Sequence, residues 1–124
     1  MKYNRDTEPI LKTAWARIRA PRGGGIWNMI SIASDHGGYR LKEHIKAYLT
    51  AKGINVLDCG CDSQESCDYP IFAKAAAVAV ADGRCEKGIV ICTTGIGVSI
   101  TANKVKGIRC ALCSDPLCAE MTRR

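Results

Sequence analysis

The segment from Cys92 to Ser99 holds the residues best suited to chemistry, a thiol followed closely by Gly95 and Gly97. It follows the apolar run 88–91, which predicts a buried strand, and residues 100–104 can continue it as a helix. A helix N-terminus stabilises a thiolate and binds anions, and glycines let a ligand approach the backbone. The pattern predicts Cys92 as a base or nucleophile beside an anion site formed by the backbone of residues 93–98. The alternative is one more buried cysteine.

Two further polar pairs come directly before predicted helices. Asp35 and His36 follow the predicted strand 29–34, where a histidine can bind phosphate or move protons near neutral pH and an aspartate can accept hydrogen bonds from sugar hydroxyls. The alternative is that Asp35 caps the next helix and His36 lies on the surface. Asp68 is at least as well explained as a helix cap, and Tyr69 either packs over the helix start or forms a wall of the pocket.

Alternating strands and helices must position these residues. Apolar runs predict four strands, at residues 29–34, 54–57, 87–92 and 108–113. Strands that are apolar on both faces and alternate with helices form a parallel sheet covered on both sides. Ligands of such sheets bind beyond the carboxyl ends of the strands, which is where the polar pairs and Cys92 fall.

Besides the helix over residues 100–104, three helices are predicted between and after these strands. Residues 39–52 have amphipathic spacing, residues 71–81 are rich in alanine, and a last helix begins at Asp115 and Pro116. The apolar face of the first helix is predicted to consist of Leu41, Ile45, Tyr48 and Leu49.

Composition indicates one globular domain. The chain has 124 residues, of which 47% are hydrophobic and 24% charged. Since it has neither an apolar stretch of about 20 residues nor a signal-peptide pattern, we expect a cytoplasmic protein without a membrane partner.

Residues 1–28 differ from the rest of the chain. They carry six of the 18 Lys and Arg residues and two of the 12 Asp and Glu residues, and they end in the strand-breaking run 21–25. We expect a basic extension that is disordered or non-native, because Met29 is a natural start for the folded domain 29–124. Nucleic-acid binding by this extension is the weaker alternative, so no nucleic-acid partner is predicted.

The eight cysteines are expected to be reduced, mostly buried residues. A split metal site from the pairs 59/61 and 110/113 is the weaker alternative, because their spacing is poor for zinc. The glycines around residue 95 match neither a dinucleotide-binding fingerprint nor a Walker loop. We therefore predict no metal and no cofactor.

Six motifs together carry a resemblance to a known family. In order and spacing, residues 34–38, 68–70, 91–99, 102–104, 107–109 and 113–116 resemble the ribose-5-phosphate isomerase B family, which includes the galactose-6-phosphate isomerase subunits. The resemblance implies a three-layer α/β/α, Rossmann-like parallel sheet, with four of the family's five strands present. It also implies aldose–ketose isomerisation of a sugar phosphate through a cis-enediolate, in a homodimer or homotetramer.

The resemblance also implies roles for individual residues. Cys92 would move the proton between C1 and C2, Thr94 would add a hydroxyl near the reacting oxygens, and the backbone of residues 93–97 would stabilise the enediolate. Asp35 would contact sugar hydroxyls and His36 the phosphate. The implied substrate-binding set is Asp35, His36, Tyr69, Thr93, Gly95, Ile96, Gly97, Val98 and Ser99. One branch of the family has a glutamate base at the position of Val98, a role that valine cannot fill.

The chain departs from the family in two ways. The family usually has glycine at the position of Thr93, which would be strained if φ there is positive. After the position of residue 124 the family continues with a His-Asn-Asp segment, a strand that lies between the third and fourth, and a long helix with arginines. We therefore expect domain 29–124 to be C-terminally incomplete, without the ring-opening histidine and most of the phosphate clamp, and less stable than a complete member.

Three readings of function remain. Isomerisation of ribose 5-phosphate to ribulose 5-phosphate is favoured. Galactose 6-phosphate or allose 6-phosphate is the alternative substrate. The third is a non-catalytic remnant that binds sugar phosphate weakly or only associates with other subunits.

Overall fold

Three parallel strands form the sheet, in the order β2-β1-β3. The computed structural model describes residues 28–124, so the predicted extension over residues 1–28 lies outside the described residues except for Asn28. The elements are β1 Met29–Ser34, α1 Tyr39–Ala51, β2 Asn55–Asp58, α2 Tyr69–Ala81, β3 Lys87–Ile91, α3 Ile96–Asn103 and α4 Pro116–Met121. No helix in this described part is long and apolar enough to cross a membrane.

The order of the strands places helices on both sides of the sheet. The chain leaves β1 for β2 on one side and then crosses to β3 on the other, and right-handed connections put α1 and α2 on opposite faces. The contacts agree: α1 contacts β2 and also β1 and β3, whereas α2 contacts β1, β3 and α3 but has no comparable contact with β2. This confirms the predicted parallel α/β sheet, and its switch point lies between the carboxyl ends of β1 and β3.

The alanine-rich helix α2 packs closely on β1. Ala76 and Ala79 are fully buried, and the hydroxyl of Ser31 in β1 donates a 2.9 Å hydrogen bond to the carbonyl oxygen of Ala76. A side chain at Gly88 in β3 would place its Cβ 2.8 Å from the Ser31 hydroxyl. Small residues on both elements therefore set the distance between this helix and the sheet.

The predicted apolar face of α1 is partly wrong. Leu49 is buried, but Leu41 and Tyr48 are 53% and 56% exposed, and Lys42 is completely buried instead. The Lys42 side chain reaches a carboxylate on the neighbouring strand β2, as described below. A buried position on α1 that was expected to hold an apolar side chain therefore holds one member of an ion pair.

The predicted fourth strand, Ile108–Cys113, is also wrong, since the described sheet has three strands. The Asn103 side chain holds this segment: its Oδ1 accepts from the Cys110 N–H at 3.0 Å and its Nδ2 donates to the Cys110 oxygen at 2.7 Å. A groove of about 1020 Å³ is lined by residues of β3 and of this segment. A short apolar run becomes a strand only beside a neighbour with which it can pair, and within residues 28–124 β3 pairs only with β1.

Candidate active site

The paired ends of β1 and β3 bring the two predicted chemical motifs together. Ser34 lies opposite Ile91 in the parallel ladder, and the Asp35 N–H donates to the Ile91 oxygen at 3.1 Å. Asp35 and Cys92 are each the next residue along their strands. The backbones of Asp35 and Cys92 therefore lie next to each other at the switch point, and the two motifs converge there as predicted.

The turn after β3 folds around the Cys92 sulfur. The Gly95 N–H donates to Cys92 Sγ at 3.1 Å, and the Thr94 hydroxyl lies 4.0 Å from the same sulfur. Gly95 has φ +77°, a left-handed conformation that glycine adopts without steric strain. The Ile96 N–H donates to Thr94 Oγ1 at 3.2 Å, which fixes the hydroxyl beside the thiol.

The first turn of α3 offers further donors. Among the hydrogen bonds of residues 28–124, none uses the N–H groups of Gly97 and Val98, as is usual in the first turn of a helix. The Val98 side chain is buried in the core and the Ser99 hydroxyl donates to the Ile96 oxygen at 2.9 Å. Val98 can therefore face a ligand only through its backbone, and the Ser99 hydroxyl already has a partner in the helix.

Asp35 holds its own turn. Its Oδ1 accepts from the Gly38 N–H at 3.0 Å, and the residue is 8% exposed. Gly38 itself occupies the cap position of α1 and has no side-chain cap. The carboxylate thus shapes the turn after β1 with one oxygen, while the helix begins four residues later, at Tyr39.

His36 is half-buried next to the loop that precedes α2. Its Nδ1 accepts from the Cys67 N–H at 3.4 Å. A neutral imidazole that accepts at Nδ1 carries its proton on Nε2, so His36 presents a donor on its other side.

Tyr69 lies against the first turn of α3. A Cβ on Gly97 would come within 2.6 Å of the Tyr69 ring, so the glycine permits this contact. Asp68 has the backbone conformation of a cap for α2 but makes no side-chain cap hydrogen bond. Tyr69 was predicted to pack over the start of its own helix or to form a wall of the pocket; its ring lies instead against the start of α3, next to the N–H groups of residues 97 and 98.

Thr93 is unstrained and fills the space above Gly37. No residue other than glycine has positive φ within the described residues, so the departure from the family's usual glycine causes no backbone strain. A Cβ on Gly37 would lie 2.3 Å from Thr93 Oγ1. The threonine side chain occupies the volume that a larger residue at position 37 would need.

An ion-pair network that sequence reasoning missed braces the end of β1. Nζ of the buried Lys42 and Nζ of Lys46 each lie 2.7 Å from Asp58 Oδ2 and from Glu43 Oε1. Asp58 Oδ1 accepts from the Gly60 N–H at 2.9 Å, and the Gly60 oxygen accepts from the Ser34 N–H at 2.7 Å. The chain of contacts ends one residue before Asp35.

The network changes the acidity of its members. Burial raises the pKa of Asp58, but hydrogen bonds from Lys42 and Lys46 outweigh burial and bring that pKa below its usual value. Burial lowers the pKa of Lys42, and its hydrogen bonds to Asp58 and Glu43 more than reverse this effect. The helical spacing around Lys42 does not indicate that this lysine is buried. The clue that the sequence does offer is its position one helical turn after the 35–38 motif.

Within residues 28–124 no group of three or more histidine, cysteine or carboxylate side chains could hold a metal ion. At the switch point, the turn that contains Asp35 and His36 lies beside the Cys92 turn that opens α3, joined by the hydrogen bond from the Asp35 N–H to the Ile91 oxygen. A Rossmann-like sheet with such a site at its switch point defines the class of α/β proteins that bind small anionic ligands.

The chain belongs to the ribose/galactose isomerase family, whose sequence pattern matches residues 30–124. It is 46% identical over 95 residues to ribose-5-phosphate isomerase B of Escherichia coli, covering 77% of this chain and 64% of the relative. It is 48% identical over 87 residues to the galactose-6-phosphate isomerase subunit LacB of Clostridium acetobutylicum, covering 70% of this chain and 50% of that relative.

Comparison with solved structures leads to the same family. Ribose-5-phosphate isomerase B of Clostridium thermocellum superimposes with a TM-score of 0.75 at 52% identity, covering 77% of this chain and 64% of that one. The Thermotoga maritima enzyme gives the same TM-score at 47% identity, with 77% of this chain and 66% of that one covered. The chain thus spans between 50% and 66% of the length of these relatives.

Proposed function

We propose that this chain is an aldose–ketose isomerase that interconverts ribose 5-phosphate and ribulose 5-phosphate, with Cys92 as the base. The observation that carries the proposal is the turn around the thiol: the Gly95 N–H lies 3.1 Å from Cys92 Sγ and the first turn of α3 follows directly. A proton next to a carbonyl is acidic enough for transfer only when a base and an oxyanion stabiliser act together. The turn supplies both within a few residues.

The proposed reaction uses one base for two proton transfers. The Cys92 thiolate removes the proton from C2 of the open-chain aldose, and the electron pair of the C–H bond forms the C1–C2 double bond while negative charge moves to O1. Within residues 93–97, the Gly95 and Ile96 N–H groups already donate to Cys92 Sγ and Thr94 Oγ1. The N–H groups of Thr93, Thr94 and Gly97, together with the Thr94 hydroxyl, are therefore assigned to this oxygen. The hydroxyl proton on O2 passes to O1, which moves the negative charge to O2. The Cys92 thiol then returns its proton to C1, and the electron pair on O2 forms the carbonyl at C2.

Asp35 and His36 serve binding in this proposal. Since Asp35 Oδ1 is engaged by the Gly38 N–H, Oδ2 is the oxygen assigned to the sugar hydroxyls. The His36 Nε2–H donates to a phosphate oxygen, because Nδ1 is occupied by the Cys67 N–H. Tyr69, lying over Gly97, closes the side of the site toward α2.

A direct assay tests this function. We expect the chain to convert ribose 5-phosphate faster than galactose 6-phosphate or allose 6-phosphate, and Cys92→Ala to abolish conversion. Cys113→Ala is the matched control, because Cys113 is exposed and lies outside the thiol turn. Equal activity of the Cys92 and control variants contradicts the proposed base, while phosphate binding without turnover of any sugar supports the non-catalytic remnant.

We also propose that the chain associates with a second copy of itself. Ile96 and Ile100 on α3 are 52% and 54% exposed, one turn apart beside the site. Apolar side chains grouped in this way are typical of subunit contacts. Sedimentation equilibrium tests the association, and Ile100→Lys should shift the distribution toward monomer; a chain that is monomeric at all concentrations contradicts it.

A further inference from the structure

The loop from Cys61 to Cys67 has a thiol at each end, and the proposed isomerisation uses neither. Cys61 is 5% exposed, and its sulfur lies 3.3 Å from the Ser63 oxygen. Cys67 is half-buried, so one of the two thiols is accessible from solvent. Both cysteines are free.

Both ends of this loop are attached to the same short stretch after β1. The Cys61 N–H donates to the Ser34 oxygen at 3.0 Å, and the Cys67 N–H donates to His36 Nδ1 at 3.4 Å. Because Ser34 and His36 are two residues apart, these bonds hold the two cysteine backbones close together. Burial, and then interaction with the Cys61 thiol, raises the pKa of Cys67, which is consistent with two facing sulfur atoms.

We propose that Cys61 and Cys67 are a disulfide-forming pair whose oxidation withdraws the Cys67 N–H from His36. A disulfide has an S–S length of about 2.05 Å, so bond formation draws the two sulfur atoms together from non-bonded contact. Cys61 is buried and anchored to β1, so the more exposed Cys67 makes most of the movement. Its 3.4 Å hydrogen bond to His36 is long and breaks with a small displacement.

The reaction balances with a low-molecular-weight disulfide as oxidant. The Cys67 thiolate attacks one sulfur of oxidised glutathione, and one glutathione thiolate leaves. Cys61 then loses its proton and attacks the Cys67 sulfur of the mixed disulfide, which expels the second glutathione. Two protein thiols are oxidised by two electrons, one glutathione disulfide is reduced to two thiols, and the two protons pass to glutathione.

The consequence for the site rests on the proposed function, whereas the disulfide does not. Without the Cys67 N–H, His36 Nδ1 loses the bond that fixes its tautomer and ring orientation. The imidazole would then no longer hold its Nε2 proton toward the phosphate. Oxidation of a loop outside the thiol turn would thereby weaken phosphate binding while leaving Cys92 unmodified.

Peptide mapping tests the pair directly. The chain is equilibrated in glutathione buffers of rising potential at mildly alkaline pH, free thiols are alkylated, and the protein is cleaved at Glu65, which lies between the two cysteines. We expect fragments that stay joined through Cys61 and Cys67 until reduction, in the unaltered chain and in the Cys113→Ser control but not in Cys67→Ser. Two results would contradict the proposed pair. One is that Cys61 and Cys67 are both still alkylated at potentials that oxidise Cys113, and the other is that Cys67 is linked to Cys59 or Cys92.

The imidazole signals test the coupling without any substrate. The chain has two histidines, and His44 on α1 is exposed, so it serves as an internal reference. In proton–nitrogen spectra of the rings, we expect the His36 nitrogen shifts to change with the same midpoint as the disulfide, while His44 stays constant. A disulfide that forms without a shift at His36 overturns the coupling, and loss of isomerase activity in every sample affects neither readout.

Discussion

At the scale of single residues, the site depends on contacts that leave no spare volume. Thr93 Oγ1 occupies the space beside Gly37, and the Tyr69 ring occupies the space beside Gly97. These two glycines bring the turn after β1, the start of α2 and the start of α3 to within contact distance. Side-chain size at positions 37 and 97 therefore decides whether the thiol turn keeps its shape.

The contact between positions 37 and 93 gives a prediction in two steps. Gly37→Ala should destabilise the fold by about 1 kcal/mol, because the new methyl group meets Thr93 Oγ1 and forces the threonine to another rotamer. Thr93→Ala removes the hydroxyl, so the double variant should recover most of the loss. Urea unfolding of the four proteins measures the coupling. Strictly additive effects would show that the two residues do not compete for space.

At the scale of elements, the buried Lys42 joins α1 to β2. Lys42→Met removes the two charge-assisted hydrogen bonds of a buried ammonium group, while Lys46 still pairs with both carboxylates. Since a hydrogen bond to a charged group contributes about 1.5 to 3 kcal/mol, we expect Lys42→Met to lower the free energy of unfolding by about 2 kcal/mol. Lys46→Met is the matched control, since Lys46 contacts the same two carboxylate oxygens but its side chain is 32% exposed. A partly exposed pair contributes about 1 kcal/mol or less, so equal losses in the two variants would contradict the role assigned to burial.

The same network predicts how stability depends on pH. The folded state lowers the pKa values of Asp58 and Glu43, so their contribution is present above the ordinary carboxylate range and is lost as pH falls through the lowered values. The pKa of Lys42 is raised, so its contribution is present at neutral pH and is lost only above the ordinary lysine range. Thermal unfolding as a function of pH should show a plateau with a fall at acid pH, and Asp58→Asn should make the acid limb shallower. An unchanged acid limb in Asp58→Asn would contradict the prediction.

Local sequence patterns predicted a helix or strand well where the residues of that element alone determine its structure. The run 29–34 and the alanine-rich stretch became β1 and α2, and the polar motifs at residues 35 and 92 met at the switch point. Burial of Lys42 could not be predicted, because hydropathy spacing does not reveal a carboxylate on a neighbouring strand. Segment 108–113 has the apolar pattern of a strand, but a strand also needs a hydrogen-bonding neighbour, which is a property of the whole sheet.

At the scale of the whole molecule, β3 is the outer strand of the described sheet and faces the groove. A strand edge presents unpaired N–H and C=O groups, which favour aggregation and contribute nothing to stability. The relatives are longer, since this chain spans about 64% of the Escherichia coli enzyme. We therefore expect a further strand paired with β3 to stabilise the sheet.

This reasoning predicts the effect of extension. The chain extended by the part of the Escherichia coli relative that follows the matched region should unfold at a higher temperature and aggregate less, because a further strand can pair with β3. The control carries an extension of the same composition in scrambled order. Equal unfolding midpoints for the three proteins would refute the prediction.

The central claim is that Cys92 moves a proton between C1 and C2 of a sugar phosphate, and exchange of that proton with solvent tests it most directly. Ribulose 5-phosphate is the right probe: its phosphorylated O5 cannot close a ring, so enolisation is separated from ring opening. Ribulose 5-phosphate is incubated in heavy water with the unaltered protein, with Cys113→Ala or with Cys92→Ala. We expect it to incorporate deuterium at C1 with the first two proteins and none with Cys92→Ala. Deuterium incorporation that persists in Cys92→Ala at the unaltered rate would contradict the account.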